Sequence, residues 1–188
     1  SGITVASGSP TALSGVLSGS SALTISGGGT LALQGVSNTF SGPVNVNNAT
    51  LSVATASQIG PGNITLNFGN LDVTSPTTFV NAISLKGTSG ISIGSNNVTL
   101  SGNIQDVGVA PNNGSLSLTG TGTLTLSGSN TYSGGTVVDT GATLSISAAA
   151  NVGSGTISLT GATLQTTAPL TLSSDIVLSG TNNLNLGA

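Results

Sequence analysis

Short runs in which apolar and small polar residues alternate recur along the whole chain. Within residues 122–146, Leu124 and Leu126 flank Thr125, and the same alternation returns at residues 143–146. This period of two sends successive side chains to opposite faces of a β-sheet. The runs are separated by clusters of Gly, Ser, Asn and Asp, which suit turn conformations and end a strand. The pattern therefore predicts short, half-buried strands joined by tight corners.

The apolar residues that begin these strands recur at regular intervals. The first series has steps of 21, 20 and 19 in residue number and consists of Leu23, Val44, Ile64 and Ile83. A second series repeats these steps and consists of Leu116, Val137, Ile157 and Ile176. A repeat of about 20 residues with two or three short strands is the size of one coil of a β-solenoid. We predict an all-β parallel β-helix of roughly nine coils, with columns of Leu, Ile and Val inside and Ser and Thr outside.

The two series belong to an internal duplication. Residues 22–94 correspond to residues 115–187 at an offset of 93, and 18 of 46 positions are identical between 49–94 and 142–187. A β-sandwich also has short alternating strands, but it gives no reason for the same three steps to occur twice. A solenoid grows by duplication of whole coils. We therefore expect a single β-solenoid domain over residues 1–188.

The step from Ile83 to Leu116 is longer than one coil and shorter than two. Between them, residues 105–114 read QDVGVAPNNG and contain the Pro and Asn-Gly signals of a turn or loop. We predict that the coil pattern breaks here and that residues 105–114 form a protruding surface loop.

Charge is nearly absent from the chain, and this excludes several classes of partner. Lys and Arg total one, Asp and Glu total four, and 36% of the residues are hydrophobic. Disordered chains have the opposite composition, so this chain is expected to fold. A single cation can neither neutralise nucleic-acid phosphates nor hold an anionic membrane surface, and no apolar run approaches the about 18 residues of a membrane helix. We predict no nucleic-acid partner and no membrane insertion of this segment.

The side chains that carry catalysis are also scarce. The chain lacks His, Cys, Met, Trp and Glu, and its acids are Asp72, Asp106, Asp139 and Asp175. Glycoside hydrolysis needs two neighbouring carboxylates, yet no two of these four are close in sequence. A nucleophilic Ser would depend on Lys86 as its base, and calcium-binding nonapeptide repeats need recurring Asp. We predict no enzymatic activity, no catalytic, cofactor-binding or metal site, and no cofactor.

The stretch GTLTLSGSNTYSGGTVVDTGATLSI, residues 122–146, resembles the passenger-associated repeat of bacterial autotransporters. Residues 29–53, GTLALQGVSNTFSGPVNVNNATLSV, are similar but looser, with Phe40 at the place of Tyr132. The resemblance implies a right-handed parallel β-helix, exported by a Gram-negative bacterium and displayed outside the cell as a stalk or adhesive passenger. It implies no reaction. We interpret the two aromatic residues as plugs that cover a coil corner.

Three functional hypotheses stay open. The leading one is an extracellular structural or adhesive module whose partners are adjoining coils and a host or matrix surface. The second is a fibre subunit, because neither terminal segment carries the cap that normally blunts a solenoid end, so copies could stack head to tail; the other explanation is excision from a longer passenger. The third is an ice- or glycan-binding surface made by the outward residues Thr123, Thr125, Thr143 and Thr163, although Thr also simply suits strands.

Overall fold

The computed structural model describes residues 2–8, 10–36 and 38–187. The ends of the predicted domain, Ser1 and Ala188, lie outside the described residues, as do Ser9 and Ser37. The regular elements are short strands and two single-turn 3-10 helices, Ala56–Gln58 and Ala149–Asn151. The strands are β1 (Gly2–Thr4), β2 (Thr11–Leu13), β3 (Leu23–Ser26), β4 (Thr30–Leu33), β5 (Val44–Asn47), β6 (Thr50–Val53), β7 (Ile64–Asn67), β8 (Asn70–Val73), β9 (Thr77–Phe79), β10 (Ile83–Lys86), β11 (Thr88–Ser92), β12 (Asn97–Leu100), β13 (Ile104–Asp106), β14 (Ser115–Thr119), β15 (Thr123–Leu126), β16 (Thr136–Val138), β17 (Thr143–Ile146), β18 (Ile157–Thr160), β19 (Thr163–Thr166), β20 (Ile176–Ser179) and β21 (Asn183–Leu186).

Within the described residues, these strands pair into three parallel sheets. Sheet 1 has the order β1-β3-β5-β7-β10-β13, sheet 2 has the order β2-β4-β6-β8-β11-β14-β16-β18-β20, and sheet 3 has the order β9-β12-β15-β17-β19-β21. Each strand pairs with a strand about one coil away in the chain. The structure therefore confirms an all-β parallel solenoid of about nine coils of about 20 residues. Its handedness stays a prediction.

The inward side chains stack in columns because paired strands are in register. Leu23 pairs with Val44, Val44 with Ile64, and Ile64 with Ile83, and all four are buried. This confirms the first predicted series. Each such side chain contributes about 1.5–3 kcal/mol of hydrophobic stabilisation. Within each of these strands, the residues that alternate with the buried ones face outward and remain partly exposed, as the alternation predicts.

The predicted break in the coil pattern after Ile83 is wrong. Ile83 pairs in register with Ile104, one coil further on, so β13 continues sheet 1 directly after β10. Leu116 lies in β14, which pairs with β11 and belongs to sheet 2. The long step from Ile83 to Leu116 therefore spans one complete coil plus one sheet face.

The loop predicted at residues 105–114 begins at Val107 instead of Gln105. Gln105 and Asp106 belong to β13, where they pair with Ser84 and Leu85 of β10. Residues 107–114 then form the corner between sheets 1 and 2. Their backbone is tied to the preceding coil, since the N–H of Val107 donates to the Leu85 carbonyl at 2.9 Å.

The two copies of the duplication lie on different faces of the solenoid. In the first copy β3 and β4 belong to sheets 1 and 2, whereas their counterparts at the offset of 93, β14 and β15, belong to sheets 2 and 3. The pairs β7–β8 and β18–β19 show the same displacement. The second copy is therefore turned about the solenoid axis by one of the three faces.

The second predicted series needs one further correction. At the second position of this series the inward residue is Thr136 and not Val137, because Thr136 pairs with Leu116 and with Ile157. Thr136 is 2% exposed, whereas Val137 is 36% exposed. The reason lies in Tyr132, whose hydroxyl is 2.6 Å from the Thr136 hydroxyl. A buried phenol requires a hydrogen-bond partner, so the polar residue faces inward here.

Candidate functional site

The two similar stretches, residues 29–53 and 122–146, share an Asn residue that joins three consecutive coils. The Oδ1 atom of Asn38 accepts from the Leu17 N–H at 2.8 Å, and its Nδ2 donates to the Gln58 carbonyl at 2.7 Å. In the second copy Oδ1 of Asn130 accepts from the Ile104 N–H at 2.8 Å, and its Nδ2 donates to a carbonyl of the following coil. The amide thus supplies the hydrogen bonds that a strand ladder would otherwise make at this corner.

A second pair of amides holds the two 3-10 helices. Oε1 of Gln58 accepts from the N–H groups of Ala54 at 2.6 Å and Thr55 at 3.1 Å. Asn151, its counterpart at the offset of 93, accepts the corresponding pair at 3.0 and 2.8 Å. Both side chains are buried. Sequence reasoning missed them, although an amide at the same place in both copies was a usable signal.

The two aromatic residues of the motif are plugs, as interpreted from the sequence. Phe40 is 4% exposed and Tyr132 is 0% exposed, so neither ring is open to a ligand. Burial raises the pKa of the Tyr132 phenol above its ordinary value of 10.0, and hydrogen bonds involving Thr136 and the Gly153 backbone oppose this rise. In the first copy the inward residue at the place of Thr136 is Val44. Each plug is therefore matched to its neighbour, apolar in one copy and polar in the other.

One aspartate supports the motif directly. Oδ2 of Asp106, at the end of β13, accepts from the Ser133 N–H at 2.9 Å and from its hydroxyl at 2.6 Å. Because Ser133 follows Tyr132 in the chain, this carboxylate fixes the backbone beside the plug. Its contacts are those of a structural residue.

The other aspartates lie apart on the surface. Asp72 is on the outer face of sheet 2, where Oδ2 accepts from the Ser52 hydroxyl at 2.8 Å. Asp139 follows β16 in the same sheet, three strands further along. Three strand spacings are roughly 14 Å, beyond the about 5–9.5 Å that separates carboxylates in glycosidases. Asp175 is exposed, and Lys86 lies partly exposed at the end of β10.

The part of the chain that the structure describes has neither a cluster of metal ligands nor a helix that could span a membrane. Over residues 2–8, 10–36 and 38–187, no group of three or more His, Cys, Asp or Glu could hold a metal ion. Over the same residues, no helix is both long enough and apolar enough to span a membrane.

The four Thr residues predicted to form a hydroxyl array do lie on one face, the outer face of sheet 3. Thr123, Thr143 and Thr163 stack in register in a single column. Thr125 lies in the adjacent column, which continues with the buried Ser145 and then a Gln. Thr99 and Thr78 precede Thr125 in that adjacent column, so the array of hydroxyls is two columns wide and three to four strands long.

Both copies of the corner motif match a known sequence repeat. A family model described as the passenger-associated-transport-repeat matches residues 23–53 and 116–146. The chain is therefore similar to the passenger-associated-transport-repeat in two segments. Together they cover about a third of the sequence, and each contains two pairs of strands with the Asn and aromatic corner between them. No curated protein and no solved structure matches the chain. The polar and aromatic residues of these repeats therefore serve the solenoid core and its coil-to-coil joints.

Proposed function

We propose that this protein is an extracellular segment of an autotransporter passenger, displayed at the surface of a Gram-negative bacterium with a structural or adhesive task. The observation that carries the proposal is the placement of the two passenger-associated-transport-repeats. Their strands are joined in register through sheet 2, whose described part runs from β2 to β20. A stalk needs this kind of continuous axial pairing.

The physical chemistry of the solenoid suits export. Each coil contacts chiefly its neighbours, so folding can propagate coil by coil as the chain emerges outside the cell. The outward residues of the strands are mainly Ser, Thr and Asn, whose neutral side chains stack without repulsion between coils. On this proposal the chain is a scaffold without enzymatic activity, cofactor or nucleic-acid partner.

Surface display is tested by labelling the source cells with an antibody against the folded solenoid. We expect intact cells to be labelled and to lose the label when protease is added outside. An antibody signal that appears only after the cells are lysed, and that resists external protease, would contradict the proposal. Retention of labelled cells on matrix-coated surfaces, compared with a strain that lacks the segment, separates an adhesive task from a purely structural one.

A second candidate function is head-to-tail assembly into a fibre, for which the last described coil offers an apolar contact surface. The final coil that the structure describes exposes side chains that face inward in earlier coils, and these surround a cavity of about 280 Å³. Its apolar lining includes Leu170, Leu172, Ile176, Leu184 and Leu186. A further coil, whether it continues the same chain or belongs to a second copy, would cover these side chains and pair with the edges of β20 and β21.

Electron microscopy of the concentrated protein tests assembly. We expect unbranched filaments from the parent protein and isolated rods from Leu178→Lys, because a charge in the stacked interface would be buried without a partner. Isolated rods from both proteins would contradict assembly and leave the display proposal standing.

A further inference from the structure

A groove on the outer face of sheet 2 lies apart from the repeat corners described above. Its volume is about 460 Å³, within the roughly 300–1,000 Å³ of small-molecule sites. The groove crosses the strands, running along the solenoid from β4 to β14. Its walls present hydroxyl, amide and carboxylate groups, supplied among others by Thr50, Asn70, Asp72 and Thr88.

The floor of the groove contains a glycine inside a strand. Gly90 lies in the middle of β11 and pairs with Asn70 of β8 and Ser117 of β14, which both carry side chains. A Cβ atom at Gly90 would collide with Oδ1 of Asn70, so the amide lies across the glycine. Glycine weakens a strand and often marks the close approach of a ligand or of another backbone. Here it makes room for the Asn70 amide, which forms part of the groove lining.

The corner before β8, two residues from the groove residue Asn70, holds an aromatic residue in an unusual conformation. Phe68 has a φ of +50° and is 47% exposed, and a bulky residue with positive φ is a genuine outlier. Its ring covers Gly87 of the next coil, where a Cβ atom would collide with it. Gly87 directly precedes the groove residue Thr88. The counterpart of Phe68 in the second copy is Gly161, which has a φ of +58°.

Phe68 and Gly90 therefore both differ from the residue type that their positions favour, and they lie close together on neighbouring coils. A corner position that suits glycine holds an exposed aromatic ring, and a strand position that suits a side chain holds glycine. Neither is needed for the solenoid, since the second copy folds with Gly161 at the first position and with Asn183 at the second. Together they produce an open aromatic face beside a polar groove.

We propose that this groove binds a neutral saccharide. One sugar ring stacks its C–H face on Phe68, while the hydroxyls of this ring and of the neighbouring rings of the saccharide hydrogen-bond to the side chains of Asn70, Asp72 and Thr88. A carboxylate accepts from hydroxyls strongly, an amide both donates and accepts, and an aromatic face packs against the apolar side of a ring. The saccharide is neutral because Asp72, the one charged group among the described residues that line the groove, would repel an anion.

Two other classes of ligand fit less well. A hydrophobic ligand would leave the hydroxyls and the carboxylate of the walls without partners. A peptide added as a strand needs an unpaired sheet edge, whereas β8 and β11 are each paired on both sides within sheet 2. The inference depends on the groove alone and does not require surface display or assembly.

The test is a nuclear magnetic resonance titration of the folded protein with soluble neutral hexasaccharides. The panel consists of β-1,4-glucan, β-1,3-glucan, β-1,4-mannan, β-1,4-xylan and chitin oligomers at millimolar concentration. We expect at least one of them to shift the backbone amides of Asn70, Thr88 and Gly90. If no member of the panel shifts these amides, the proposal is overturned.

Variants separate binding from folding. Phe68→Asn removes the ring but tolerates positive φ, so it should keep or raise the thermal midpoint while weakening binding about tenfold or more. Phe68→Tyr should retain binding, and Asp72→Asn should weaken it without changing the shape of the groove. Val80→Asn removes an exposed apolar side chain outside the groove and is the matched control. Equal affinity for Phe68→Asn and the parent protein would overturn the proposal, as would equal losses for Phe68→Asn and Val80→Asn.

Discussion

The two copies of the duplication follow one sequence plan on different faces of the same solenoid. In each copy, four residues with positive φ occupy corresponding positions at corners that join one strand to the next strand in the chain. They are Gly27, Asn48, Phe68 and Gly87 in the first copy and Gly120, Gly141, Gly161 and Gly180 in the second. The second copy therefore keeps the order of strand, corner and strand, although its strands belong to different sheets from their counterparts in the first copy. The duplicated segment thus specifies its corners and strands, and the sheet that each strand joins depends on the coil beneath it.

The copies differ in the chemistry of their plugs. The first has the buried Phe40 with a buried apolar residue, Val44, four positions on, and the second has Tyr132 joined to Thr136 by a buried hydrogen bond. Each pair is consistent within itself. A change to one member should therefore cost more than a matched change to both.

Truncation of a plug should have the largest effect. We expect Tyr132→Ala and Phe40→Ala each to lower the free energy of unfolding by roughly 3–5 kcal/mol, because a buried aromatic side chain leaves a cavity. Urea denaturation measures the loss. Val80→Ala, at an exposed position, should stay within about 0.5 kcal/mol of the parent protein. Similar stabilities for all three variants would show that the rings are not structural plugs.

Replacement of Gly161, at the corner between β18 and β19, should have a smaller effect on stability. We expect Gly161→Phe to lower the free energy of unfolding by about 1–3 kcal/mol, because φ is positive there. Space is available, since the nearest atoms to a Cβ at Gly161 belong to Thr140 at 3.4 Å. Gly161→Asn should lose less, because Asn tolerates this conformation. Equal losses for Phe and Asn would contradict a conformational origin.

Exchange within a plug pair should be compensated by its partner. Tyr132→Phe leaves the buried Thr136 hydroxyl without the 2.6 Å contact, so we expect a loss of about 1–2 kcal/mol. The double variant Tyr132→Phe/Thr136→Val recreates the apolar pair of the first copy and should recover most of this loss. A double-mutant cycle from urea denaturation gives the coupling. Additive losses would mean that the two side chains act independently.

High pH should lower the free energy of unfolding through Tyr132 but not through Phe40, and this is the smallest of the expected effects. Burial raises the pKa of Tyr132 above 10.0 in the folded state, so the stabilisation is complete below pH 10 and is lost as the pH rises through the folded value. The free energy of unfolding should fall above pH 10 by up to about 1.4 kcal/mol per pH unit. Tyr132 is the single Tyr of the chain, so Tyr132→Phe should remove this dependence while Lys86→Gln retains it. The same slope in Tyr132→Phe would assign it to another group.

Much of the fold could be predicted because side-chain alternation and spacing express the solenoid directly. The column from Leu23 to Ile83 follows from four apolar residues at coil spacing, and the plugs follow from two aromatic residues at equivalent corners. The prediction failed at Val137 because alternation assumes that the apolar residue faces inward. A buried Tyr hydroxyl reversed that preference by drawing Thr136 into the core.

The remaining errors have a different cause. Intervals along the chain do not record which face a strand joins, so they cannot distinguish a break after Ile83 from one coil plus one face. Sequence patterns do not show the groove for a related reason. Phe68 and Gly90 are ordinary residues in composition, and they become informative only when register places them beside each other. The alignment of Phe68 with Gly161 was the available signal.

The rotation of the second copy by one face is the central claim, and disulfide trapping tests it most directly. Ser84 of β10 pairs with Gln105 of β13, and neighbouring strands are about 4.8 Å apart, within the separation that a disulfide spans. Stacking without rotation would instead place Ser84 beside Ser117, because Ile83 and Leu116 would then share one column. The chain has no Cys of its own, so each double variant contains one possible disulfide. We predict that Ser84→Cys/Gln105→Cys closes rapidly on mild oxidation of the folded protein, as measured by mass spectrometry, and that Ser84→Cys/Ser117→Cys stays reduced; the reverse result would contradict the rotated arrangement.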